Sequence, residues 1–240
     1  MPVPDSLRET VVMSGEYENL CISMEKYANV IRTQPNPYLP YYLRYHADMQ
    51  FFAVKDTAFI VPGSEYLEEQ LVPFYKNIIY TEETGTEYPQ DVKCNARLLD
   101  KILLCNAKTL DKKILNYCKA IKLEILNVKQ GYASCSTLFI RNNTLLTSDM
   151  PIYNLAKKRN FTACLVDNKD ILLNGFSCGF IGGSSGSLSK DTVFFTGSLS
   201  LTKGLEVLYS FLGDLNIKVI ELSADRMVDI GGIIPLKNNL

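Results

Sequence analysis

Thr57-Ala-Phe-Ile-Val-Pro-Gly63 opens on threonine, runs through apolar residues and ends in turn formers. The same order returns in Thr10-Val-Val-Met-Ser-Gly15, Thr144-Leu-Leu-Thr-Ser-Asp149 and Thr192-Val-Phe-Phe-Thr-Gly197. A fifth stretch, Ile102-Leu-Leu-Cys-Asn-Ala107, fills the gap between the Thr57 and Thr144 stretches and lacks the threonine. The spacing is about 40–50 residues, the length of one supersecondary unit repeated along a chain.

What flanks each stretch repeats too. Residues 65–75 carry Leu67, Leu71, Val72 and Phe74 at helical spacing, and residues 110–121 and 203–214 behave alike. Residues 150–158 predict a shorter helix. A β-rich run follows each helix: Asn77–Tyr80, Leu123–Leu126, Thr162–Val166 and Ile217–Ile220. An apolar run and a polar turn precede three of the threonines, as in Met49–Val54 before Lys55-Asp56. That order reads as a hairpin. The unit is therefore strand, strand, helix, strand. Residues 230–239 supply a first strand and a turn. Residues 10–33 supply a second strand, a helix over about 16–26 and a third strand. The two ends together make the fifth unit, which predicts one α/β domain over residues 1–240 closed through its termini, with no free sheet edge at the join.

Composition is that of a packed globular chain: 47% hydrophobic and 21% charged, with a net charge of −1. Such a balance gives no field for a phosphate backbone, so nucleic acid is not expected as a partner. The seven cysteines show no C-x-x-C pair, so no metal or redox motif is expected. No cofactor motif is present either. The N-terminus lacks a signal-peptide pattern and no apolar run has spanning length, which predicts a cytoplasmic protein off the membrane. Oligomeric state is not legible.

A five-fold repeat of this unit resembles the pentein fold, a five-bladed α/β-propeller of guanidino-group-modifying enzymes. Gln130-Gly-Tyr-Ala-Ser-Cys-Ser136, Gly179-Phe-Ile-Gly-Gly-Ser-Ser185 and Asp229-Ile-Gly-Gly-Ile-Ile-Pro-Leu236 are similar to an uncharacterised bacterial branch of it. The family includes arginine and agmatine deiminases, dimethylarginine dimethylaminohydrolases and amidinotransferases, together with a ribosome anti-association factor without comparable catalysis. The resemblance implies a central pocket lined by the first strands, a His-x-Asp pair in the third unit and a cysteine nucleophile near the C-terminus. This chain departs at both places. Ser134-Cys135-Ser136 stands where the pair belongs, and Pro235 falls at the nucleophile.

The remaining candidates are weighed against plainer roles. His46 is the only histidine, and His46-Ala-Asp48 sits before the first unit's inner strand. Alternation along a strand would put His46 and Asp48 on one face; the pair is either an acid–base element or a hydrogen-bonded strand entry. Cys135 is a candidate nucleophile or a small buried hydrophobe. The glycines of Gly182-Gly183-Ser184-Ser185-Gly186 either present N–H groups to an anion or let backbones approach closely. Arg97 holds an acidic ligand group or lies in solvent. The expected axial pocket comprises His46, Asp48, Asn95, Ser134, Ser136, Gly183, Ser184 and Gly232. It is expected to bind a small polar ligand, the alternative being a hydrolase of amino acid or guanidino-type substrates that uses His46, Asp48 and Cys135.

Overall fold

The threonines that mark the repeat each start a strand. The computed structural model describes residues 9–99, 101–141 and 143–236. The N-terminal residues 1–8 and the turn expected over residues 237–239 lie outside them. Chain order begins with β1 (Thr10–Ser14), α1 (Glu18–Met24) and β2 (Asn29–Thr33). Unit one is α2 (Ala47–Gln50), β3 (Phe51–Val54), β4 (Thr57–Ile60), α3 (Glu65–Leu71) and β5 (Asn77–Tyr80). Unit two is β6 (Arg97–Leu99), β7 (Ile102–Cys105), α4 (Lys112–Ala120) and β8 (Glu124–Asn127). Unit three is β9 (Thr137–Arg141), β10 (Thr144–Thr147), α5 (Met150–Lys158) and β11 (Thr162–Leu165). Unit four is β12 (Ser185–Ser189), β13 (Thr192–Phe195), α6 (Val207–Asp214) and β14 (Lys218–Glu221), and β15 (Ile234–Leu236) follows.

Five three-stranded sheets result, with the repeat-marking strand central in each. An antiparallel hairpin partner flanks four of these strands on one side, and a parallel strand reached through a helix flanks all five on the other. One hydrogen bond recurs in all five units. The N–H that opens the third strand (Asn29, Asn77, Glu124, Thr162, Lys218) donates to the carbonyl before the central strand (Glu9, Asp56, Lys101, Asn143, Asp191). Helices α4, α5 and α6 end alike: Lys122, Asn160 and Asn216 turn the chain at φ 61°, 59° and 55°. This left-handed residue stops a helix and redirects it into the strand. At the chain ends, β15 pairs antiparallel with β1, Val11 opposite Pro235, so residues from both ends share one sheet.

Helices α1, α3, α4, α5 and α6 each join a core cluster that spans two units. Ile114 of α4 shares one with Leu103 of its own unit and Phe59 of the one before. Leu208 of α6 shares one with Phe195 and Leu146. Ile152 of α5 clusters with Leu104, Leu71 of α3 with Ile60 and Val12, and Cys21 of α1 with Val11 and Phe194. Leu71, Ile114 and Leu208, expected to face the sheets, are fully buried.

Two expected elements differ. The helix expected over 203–214 begins at Val207, because Gly204 at φ +87° turns the chain first. The run Met49–Val54 is a strand only from Phe51; Ala47–Gln50 is a helical turn with His46 at its N-cap.

Candidate functional site

That helical turn changes the site. A helix advances about 100° per residue, so positions two apart point in nearly opposite directions, where strand alternation would have aligned them. His46 and Asp48 accordingly line different cavities, which share no lining residue.

The first cavity, about 190 Å³, is lined by Asp48, Arg97, Ser134, Pro235, Lys55 and the apolar residues of β3, with Tyr75 and Ile234. Asp48 is buried. Its Oδ2 accepts from the Cys135 thiol at 2.8 Å, and its Oδ1 has no partner among the described residues. Burial pushes its pKa up to about 6 from 3.8, against the pull of the Cys135 hydrogen bond and the Arg97 charge. Arg97 is half-buried. Its Nε donates to the Thr137 carbonyl at 3.1 Å and its Nη2 to the Ser134 carbonyl at 3.0 Å. It is thus held in the wall rather than loose in solvent, and a guanidinium has five N–H donors, so capacity remains.

The second cavity, about 230 Å³, has His46, Asp229 and Cys135 beneath walls of Tyr132, Phe180, Phe176, Leu43 and Leu173. Asp229 Oδ2 accepts from the Phe180 N–H at 2.8 Å and Oδ1 from the Gly231 N–H at 3.0 Å. His46 Nδ1 stands 3.8 Å from Asp229 Oδ1. Burial lowers the imidazole to about 3, so it is neutral, and raises Asp229 to about 7, with the Asp48 charge adding to the rise. Gly231, at φ +77°, lies against His46, where a Cβ would sit 2.4 Å from the His46 Cβ.

The cavities meet at the bond between Asp48, which lines the first, and Cys135, which lines the second. Asn95 braces this junction: Nδ2 donates to Cys135 Sγ at 3.1 Å, and Oδ1 accepts from the Ser134 N–H at 2.7 Å. The remaining candidates line neither cavity. Ser136 Oγ donates to Ala133 O, and Ser184 Oγ to Phe180 O and Ile181 O, each closing its own turn. Gly232 N–H donates to Gly183 O. The glycine-rich segment is a place of close approach: a Cβ on Gly183 would lie 2.0 Å from Asp229 Oδ1, and one on Gly182 would lie 2.3 Å from the Ser134 carbonyl. The Gly183 N–H already donates to Cys135 O and the Ser184 N–H to Phe180 O, so neither is free for an anion.

The Cys135 thiol is a poor nucleophile as placed. It donates to a carboxyl group, and burial together with Asp48 and Asp229 pushes its pKa well above 9.0. A reactive cysteine needs the reverse, an electropositive setting that favours thiolate.

Sequence reading passed over Asp229, Tyr132 and Phe180. A signal existed in the repeat. His46, Tyr132 and Phe180 each stand five residues before the first residue of an inner strand, β3, β9 and β12, and all three line the second cavity.

The model of the Family of unknown function (DUF6873) matches residues 12–234, nearly the whole chain. The chain belongs to this family. No curated protein matches it by sequence. Solved structures do match by shape. A dimethylarginine dimethylaminohydrolase adduct with S-methyl-L-thiocitrulline superposes with a TM-score of 0.61 at 11% identity, covering 90% of this chain and 93% of its own. The inosamine-phosphate amidinotransferase from Streptomyces griseus gives 0.59 at 12%, covering 93% and 80%. The agmatine deiminase of C. jejuni gives 0.54 at 12%, covering 90% and 87%. The DUF6873 chain has the pentein fold, and at such identity the likeness is one of fold alone.

Proposed function

We propose that the chain is a ligand-binding pentein whose five units close a ring through the chain ends, and that its first cavity holds a small molecule bearing both a cationic and an acidic group. Supporting closure, shared core clusters link the five units in cyclic order, and β15–β1 pairing completes the split unit. The observation that carries the binding reading is what lines the first cavity. Ser134 and Pro235, the positions that resemblance gives to acid–base catalyst and nucleophile, stand in the same cavity as Asp48 and Arg97. Proline has no nucleophilic group and a serine hydroxyl is a poor replacement for an imidazole in proton transfer, while a carboxyl group and a guanidinium remain to hold a ligand. Asp48 Oδ1, buried and unpartnered among the described residues, suits an ammonium or guanidinium. The remaining Arg97 donors suit a carboxylate. The volume suits an amino acid or guanidino acid rather than a nucleotide.

The structural neighbours are named for dimethylarginine, agmatine and amidino-group transfer, which makes such compounds the first probes. Thermal shift should rank arginine and methylated arginines above agmatine, which has no carboxylate for Arg97, and the difference should vanish in Arg97→Gln. The hydrolase reading rests on the contact of Cys135 with Asp48. Release of ammonia or urea that is lost in Cys135→Ser would establish it and end the binding reading. Stabilisation without turnover would support binding.

A further inference from the structure

We propose that the second cavity is a separate ligand site for a small organic cation with an apolar or aromatic body. Its walls and its floor point to the same ligand. The walls are rings and aliphatic groups. Tyr132 and Phe180 lie nearly parallel, 6.2 Å apart and inclined by 24°, and Tyr88 extends the stack at 5.8 Å from Tyr132. The stack is fixed from behind, because Tyr132 OH donates to Asp91 Oδ2 at 2.6 Å. Phe176 stands at the cavity 48% exposed, at a place where burial would ordinarily be favoured. Aromatic faces attract organic cations through the ring quadrupole, most strongly where water is excluded.

The floor is acidic. Asp229 is buried, and its nearest basic neighbour, His46, is neutral. No lysine or arginine lines this cavity among the described residues. A buried carboxylate without a cation is unfavourable, and a bound ammonium would supply the missing charge. An anionic ligand would meet Asp229 and, behind Cys135, Asp48 as well. A purely hydrocarbon ligand would leave the carboxylate without its counter-charge.

This inference does not rest on the function proposed for the first cavity, and the probes separate them. Benzylamine and phenylacetate have similar bodies and opposite charges. Calorimetry at pH 8 on the whole protein should show benzylamine binding and no phenylacetate binding. Phe176→Ala, at an exposed side chain, should weaken benzylamine at least several-fold while leaving the melting temperature and arginine binding unchanged. Asp229→Asn should remove benzylamine binding if it folds. Arg97→Gln, in the other cavity, should leave it intact. Absence of benzylamine binding, equal binding of phenylacetate, or benzylamine affinity indifferent to Phe176→Ala would each overturn the proposal. Loss of benzylamine binding in Arg97→Gln would also overturn it, because it would move the ligand to the first cavity.

Discussion

The two cavities handle a buried carboxyl group differently. In the first, Asp48 has a half-buried arginine nearby, a thiol donating to one oxygen and no partner among the described residues on the other. In the second, both oxygens of Asp229 accept backbone N–H groups, and the basic group beside it is an uncharged imidazole. Hydrogen bonds satisfy a carboxylate's lone pairs, but a neighbouring cation offsets its charge. Asp48 therefore has partial charge compensation, outweighed by its burial, and an oxygen to spare, whereas Asp229 has hydrogen bonds without a counter-charge. One site is suited to a ligand with groups of both signs, the other to a cation.

The largest effect should come from the scaffold that both cavities share. Leu208→Ala removes a fully buried side chain from the seam between the third and fourth sheets. It should cost about 2–5 kcal/mol in chemical denaturation. Both ligand responses should survive at temperatures where the variant is folded. A cost under about 1 kcal/mol, the scale of surface changes, would place α6 wrongly on its sheet.

Asp48→Asn tests the first cavity in the opposite direction. Asp48 holds its proton more tightly folded than unfolded, so its contribution to stability is present at low pH and is lost as pH rises from about 3.8 through about 6. A rise of that size corresponds to about 3 kcal/mol. Asparagine can still accept from Cys135 and carries no charge to bury. The variant should match wild type near pH 4 and exceed it by up to that amount at pH 8. A gain of equal size at both pH values would trace the effect to packing instead of ionisation.

Gly183→Ala tests the second cavity. The new methyl would sit 2.0 Å from Asp229 Oδ1, so the carboxyl group or the inner turn must move. A loss of about 1–3 kcal/mol is expected, typical of overpacking. Benzylamine binding should be lost while arginine still stabilises the protein. If benzylamine affinity is unchanged, Asp229 is not its partner.

The repeat was legible because strand-forming residues, turn residues and helical spacing agreed in every unit, and the threonines marked the start of central strands in four of them. The pairing of the chain ends followed from the same count. The site was less legible for a specific reason. A helical turn of four residues, Ala47–Gln50, looks like the start of a strand when apolar residues follow it directly. That misreading rotated His46 onto the face of Asp48. On sequence alone Arg97 fits either an acidic ligand group or solvent, because no sequence pattern announces two backbone carbonyls from another unit as its partners. Asp229 carries no mark in the sequence beyond its place in a glycine motif, since its burial is produced by residues distant in sequence.

The smallest effect should come from Lys55, which lines the first cavity and has no counterpart in the second. It occupies the turn between β3 and β4 at φ +54°, where a side chain carries a modest conformational cost that asparagine tolerates better. Its ammonium is solvent-facing, so its attraction for an acidic ligand should be weak and screened by salt. Lys55→Asn separates the two contributions. The turn should be unchanged or stabilised by about a few tenths of a kcal/mol, since its backbone preference improves. Arginine affinity should fall about two-fold at low ionic strength and be indistinguishable from wild type near ~0.5 M salt, where screening is nearly complete at such distances. Benzylamine affinity should not change at either ionic strength. A large loss of arginine binding that persists in high salt would show that Lys55 contacts the ligand directly, and Arg97 would no longer be the principal acid-binding group of the first cavity.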